Sequence, residues 1–103
     1  MHNIWIADDD EAIRIVLEEG LKSSDLAITT FANGESLIEA LNEDQPDLII
    51  SDIKMPGIHG YDLLKHIKNN HEKIPVIIMT AFTDMQAAID AYGGGAFEYI
   101  PKP

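Results

Sequence analysis

Two apolar runs limit what this chain can fold into. Leu48-Ile49-Ile50 and Val76-Ile77-Ile78-Met79 contain no polar residue to meet water, so each reads as a strand buried on both faces, the pattern of a parallel sheet covered by helices. The first run continues through Ser51 to Asp52 and meets Met55-Pro56-Gly57, where proline fixes φ and glycine tolerates a positive φ. A carboxylate is thereby set at the carboxyl end of a central strand, at the mouth of a loop. Open α/β sheets bind their ligands at that edge.

The remaining sequence alternates around these runs. Ile4-Trp5-Ile6-Ala7 is a short strand broken by Asp8-Asp9-Asp10-Glu11, after which Ile13, Val16, Leu17 and Leu21 recur at helical spacing. This helix is expected to end near Lys22, because Gly20 weakens it and Ser23-Ser24 follows. Ala27-Ile28-Thr29-Thr30-Phe31 is a second strand, Asn33-Gly34 a turn, and Leu37, Ile38 and Leu41 the stripe of a second helix that stops before Pro46. Tyr61, Leu64 and Ile67 mark a third helix with Lys65 and Lys68 on its wet side. After Val76–Met79 and Thr80-Ala81, Thr83 and Gln86 are spaced as a capping box, and Met85, Ala88, Ile89 and Tyr92 form the stripe of a fourth helix. Gly93-Gly94-Gly95 stops it, and Ala96-Phe97-Glu98-Tyr99-Ile100 is a fifth strand closed by Pro101-Lys102-Pro103. Strands alternating with helices imply parallel pairing and right-handed crossovers, hence an α/β/α sandwich. Such domains continue with a helix after the fifth strand, so residues 1–103 are expected to be one domain cut short there.

The totals exclude several classes. With 103 residues the chain makes one core, and with no cysteine it has neither disulfides, thiolate zinc sites nor a Cys nucleophile. No apolar run approaches the ~20 residues of a membrane span, and no basic-then-apolar leader opens the chain, so a cytoplasmic soluble domain is expected. The formal charge of −11 is spread along the sequence and repels phosphate backbones, so direct nucleic-acid binding by this segment is not expected.

In a parallel sheet all carboxyl ends share one edge. There the sequence sets Asp8 and Asp9 after the first strand, Asp52 after the third, Thr80 after the fourth and Lys102 after the fifth. Crowded carboxylates either raise their pKa values or hold a hard cation, Mg²⁺ with its waters being the natural choice. Such a rim suits phosphoryl transfer, with Asp52 as nucleophile, Asp8 and Asp9 on the metal, Thr80 bonding a phosphoryl oxygen and Lys102 neutralising it. Each residue alone has a duller explanation: capping and the helix dipole for Asp8, Asp9 and Asp10, an Asx-turn for Asp52, a strand end for Thr80, a solvated charge for Lys102. Their joint placement on one edge favours the chemistry.

The acidic pair, Asp52-Ile53-Lys54-Met55-Pro56-Gly57, Pro75–Ala81 and Gly95–Pro103 together resemble the receiver domain of two-component response regulators, most closely the NtrC-type receivers of sigma-54-dependent activators. The resemblance implies a flavodoxin-like, doubly wound five-stranded parallel sheet in the order 2-1-3-4-5. It implies Asp52 as phosphoacceptor, Asp9 as a direct Mg²⁺ ligand, Asp8 as its acidic partner, and the backbone carbonyl of Lys54 completing the shell. It makes Thr80 the switch hydroxyl, Lys102 the phosphate-binding lysine and Tyr99 the switch aromatic, with a cis bond before Pro103. Such a domain catalyses its own phosphorylation and dephosphorylation and is not otherwise an enzyme. Its partners would be a sensor histidine kinase, as phosphohistidine donor, and a covalently linked output domain, an AAA+ ATPase with a DNA-binding module, for transcription regulation. Rotation of Tyr99 behind Thr80 would alter the face made by the fourth helix and fifth strand, where dimerisation is also expected. Phe82, two residues after Thr80, would shield the acyl phosphate. His59 departs from the pattern, standing where many members carry an acidic residue.

Three rivals share parts of this layout. A haloacid-dehalogenase-type phosphatase needs Asp-x-Asp-x-Thr after its first strand, and Asp8-Asp9-Asp10-Glu11-Ala12 lacks the threonine. A flavodoxin-like nucleotide binder cradles phosphate in a Ser/Thr/Gly loop where this chain is acidic. A receiver-like interaction module that takes no phosphate is disfavoured by the complete acceptor set.

Overall fold

The computed structural model describes residues 2–58, 60–80 and 98–101, with the backbone alone for Gly60, Tyr61 and Tyr99. Over these residues strands and helices alternate: β1 (His2–Ala7), α1 (Glu11–Leu21), β2 (Leu26–Phe31), α2 (Gly34–Leu41), β3 (Leu48–Asp52), α3 (Gly60–Asn70), β4 (Val76–Thr80) and β5 (Glu98–Pro101). The five strands pair in parallel in the order β2-β1-β3-β4-β5. This is the flavodoxin-like order read from the sequence. The chain runs outward from β1 to β2 and then returns to β3, so the order reverses between β1 and β3, where a crevice opens at the carboxyl ends.

Side chains alternate across the sheet with period two, and the two faces are filled unequally. Trp5 and Ala7 of β1 point to the α2/α3 side, where Leu37, Leu41, Leu63, Leu64 and Ile67 close a core with Ile49 and Ile78. Trp5 and Phe31 meet there with ring centroids 5.2 Å apart and planes tilted by 57°. Ile4 and Ile6 point the other way, with Ile50 and Met79, under the partly buried Ile13, Leu17 and Leu21 of α1. Leu48 and Ile77, read as buried on both faces, are only partly covered on that side.

The helix starts follow local chemistry. Asp10 caps α1 by accepting the Ala12 N–H at 2.9 Å, and Asn33 caps α2 by accepting the Ser36 N–H at 2.8 Å, each satisfying an otherwise orphaned donor.

Three further expectations change. Val16, assigned by spacing to the packed stripe of α1, is 52% exposed, because Ile13, Leu17 and Leu21 define a stripe that it flanks. Lys68, expected on the wet side of α3, is half-buried and donates from Nζ to the Ile74 carbonyl at 3.0 Å. Leu63 is fully buried beside Leu64, so the apolar stripe of α3 is wider than the spacing of Tyr61, Leu64 and Ile67 suggested. The fourth helix, Phe82, His59, Lys102 and the bond before Pro103 lie outside the described residues.

Candidate functional site

Strand register builds the site. Ile4 pairs with Leu48 and Ile6 with Ile50, so the next residues in phase, Asp8 and Asp52, continue the same ladder past the end of the apolar sheet. Two hydrogen bonds carry the ladder beyond the strands: Asp8 N–H donates to the Phe31 carbonyl and Ile53 N–H to that of Met79, both at 3.1 Å. As a result Asp8 is fully buried and Asp52 is 2% exposed, although both are carboxylates.

Asp8, Asp9 and Asp52 can each present an oxygen such that all three lie within 4.8 Å of one another. Ionised carboxylates this close repel one another, and a cation between them would offset that repulsion. A set of oxygen donors alone, two of them buried and one exposed, fits a hard divalent cation that keeps part of its water shell. The cluster could therefore hold a metal ion.

The acidic run divides its labour. Asp10 is the cap, as the duller explanation required, whereas Asp8 and Asp9 face Asp52. The loop is held by its own backbone: Asp10 N–H donates to Asp8 Oδ1 at 2.9 Å, and Arg14 Nη1 donates to the Asp8 carbonyl at 2.7 Å. On the other side Ser51 Oγ donates to the Asp52 carbonyl at 3.0 Å, and Lys54 N–H approaches Asp52 Oδ1 at 3.4 Å. That last contact has the form of the Asx-turn considered for Asp52.

Thr80 ends β4 at 2% exposure, one residue beyond Met79, which pairs with Asp52, and it is itself paired with Pro101. It therefore shares the sheet edge with the carboxylates. Lys54 follows Asp52 by two residues with an exposed side chain. Tyr99 lies in β5 in register with Ile78, and Lys102, next after Pro101, lies outside the described residues. The Arg14 contact was not foreseen. It spans one helical turn and a bend, and no spacing rule marks it.

Comparisons with known proteins bear on the fold and the family. The family model described as the response regulator receiver domain matches residues 4–103. The DNA-binding transcriptional regulator NtrC of Escherichia coli (strain K12) is 53% identical over 100 residues, which is 97% of this chain and 21% of that protein. The BeF3-activated receiver domain of nitrogen regulatory protein C is 50% identical, with a TM-score of 0.81 over 100% of this chain and 85% of that one. NtrX from Brucella abortus in complex with ADP is 29% identical, with a TM-score of 0.92 over 99% of this chain and 24% of that one. The chain thus spans about a fifth of the length of the curated relatives it matches. Sheet order, acidic cluster and family match lead to one conclusion: the chain belongs to the response regulator receiver domain family and is a receiver of the NtrC type.

Proposed function

We propose that Asp52 accepts the phosphoryl group in this receiver and that Asp8, Asp9, Asp52 and the Lys54 carbonyl are the protein ligands of a Mg²⁺ ion. The observation that carries this reading is the convergence of the Asp8, Asp9 and Asp52 oxygens within 4.8 Å at the crevice of the sheet. The donor is a phosphohistidine on a sensor histidine kinase. Its P–N bond breaks, the electron pair stays on the imidazole nitrogen, and a P–O bond forms to an Asp52 carboxylate oxygen, giving an acyl phosphate. When bound, Mg²⁺ supplies neutralisation of the phosphoryl oxygens.

The chain's own residues do the rest. Asp52 is itself 2% exposed, which shields its carboxyl carbon from bulk water, and Phe82, two residues after Thr80, shields the acyl phosphate. Thr80 donates its hydroxyl to a phosphoryl oxygen and Lys102 pairs with another. Movement of Thr80 lets Tyr99 turn inward and alter the surface at β5 by which an output domain or second receiver reads the state. Residues 1–103 act as one receiver that catalyses its own phosphorylation and dephosphorylation, in the cytoplasm, joined to an AAA+ ATPase and DNA-binding output for transcription regulation. Among the described residues no helix is long and apolar enough to cross a membrane.

Intact-mass measurement after exposure to Mg²⁺ and a small acyl phosphate tests the reading. Wild type should gain one phosphoryl group and Asp52→Asn none. Equal uptake by both, or steady turnover of a phosphate ester, would reject it.

A further inference from the structure

The loop that leaves Asp52 is fastened at three points. Its start is held by the Ile53 N–H on the Met79 carbonyl, and its middle by Met55, which is 3% exposed. Its far end is held by α2: Ile58 N–H donates to Glu35 Oε2 at 3.2 Å across 23 residues of sequence.

Two glycines make room for this contact. Gly57 has φ +78°, a left-handed conformation, and the Glu35 carboxylate occupies the space that a Cβ there would need. Gly34, the first residue of α2, has the Ile58 side chain where its own Cβ would stand. A side chain at either position would push loop and helix apart. The base is firm, since α2 is capped by Asn33 and buries Leu37 and Leu41.

Only Met55 and Pro56 separate Lys54 from Gly57, and proline removes one of the few soft dihedrals between them. A shift at Gly57-Ile58 is therefore passed to the Lys54 backbone, whose N–H approaches Asp52 Oδ1. We propose that Glu35 is a positioning residue for the acceptor loop, holding Lys54–Gly57 in the conformation that keeps the Lys54 backbone beside Asp52. Glu35 acts through the loop and touches neither cation nor phosphoryl group. The proposal rests on Asp52 being the acceptor.

The test compares Glu35→Ala, Glu35→Gln, Gly57→Ala and the Gly57→Ala/Glu35→Ala pair. Phosphoryl uptake from a small acyl phosphate is followed by intact mass as Mg²⁺ is titrated. Glu35→Ala should raise the Mg²⁺ concentration for half-maximal rate about threefold to tenfold, the range set by loss of one hydrogen bond. Glu35→Gln keeps an acceptor oxygen without the charge and should restore the wild-type response. Gly57→Ala should be less damaging when Glu35 is already alanine, because the carboxylate no longer fills the space its Cβ needs. Amide hydrogen exchange in metal-free protein reads the same latch without phosphorylation: Glu35→Ala should speed exchange at both Ile58 and Lys54. Unchanged exchange at Lys54, equal impairment of the Ala and Gln variants, or a change in melting temperature alone would overturn the positioning role. Failure of wild type to take phosphate, with exchange at Lys54 still dependent on Glu35, would reject Asp52 as acceptor while leaving the latch in place.

Discussion

Three consecutive aspartates take two different places, one capping α1 and two at the acidic cluster, and their position relative to the strand decides which. Asp8 is in phase with Ile4 and Ile6, so the alternation that fills the core also aims its carboxylate at the crevice. Asp10, two residues on, has left the strand and adopts the extended backbone of an N-cap at φ −89° and ψ 111°. Substitution should separate these roles. Asp10→Ala should cost about 1 kcal/mol of stability, read as a lower urea midpoint, and Asp10→Asn almost nothing, because asparagine caps equally well. Both should still take up phosphate. Asp9→Asn should leave the urea midpoint near wild type but weaken Mg²⁺ binding about tenfold or more, measured by calorimetric titration, since affinity at oxygen sites follows the number of charged ligands.

Elements whose contacts are periodic were readable in advance, and those whose contacts are long-range and irregular were not. The strands, the parallel order and the gathering of Asp8, Asp9, Asp52 and Thr80 on one edge all follow from alternation and crossover rules applied to short apolar runs. Period alone does not say where a helix sits over a sheet, which is why Val16 was placed in the packed stripe of α1 and stands 52% exposed. The width of the α3 stripe was missed for the same reason, since Leu63 is buried only because α3 lies deep against the sheet. The Glu35–Ile58 contact joins two loop-adjacent positions 23 residues apart, and no pattern marks it. Paired truncations weigh the difference. Leu63→Ala should destabilise by about 2–5 kcal/mol through lost burial and a cavity. Val16→Ala should change stability by no more than about 0.5 kcal/mol in chemical denaturation, as is usual for an exposed position.

Charge ties the local site to the stability of the domain. A net charge of −11 on 103 residues makes the compact state self-repulsive, and among the described residues Asp8, Asp9 and Asp52 form a local acidic cluster, two of whose carboxylates are withdrawn from water. Two kinds of cation should therefore stabilise the fold by separable routes. Monovalent salt screens the diffuse repulsion wherever the charges are exposed, with a Debye length of about 8 Å at physiological ionic strength. Mg²⁺ held at the proposed site should add a site-specific gain that follows mass action, about 2.7 kcal/mol at a concentration one hundred times its Kd. Melting in Mg²⁺ should thus exceed melting in sodium chloride of equal ionic strength, and a chelator should erase the excess. In Asp9→Asn the excess should shrink while the response to sodium chloride stays. A variant that loses both responses together would show that diffuse repulsion, and not a cation held at the sheet edge, sets the stability of the domain.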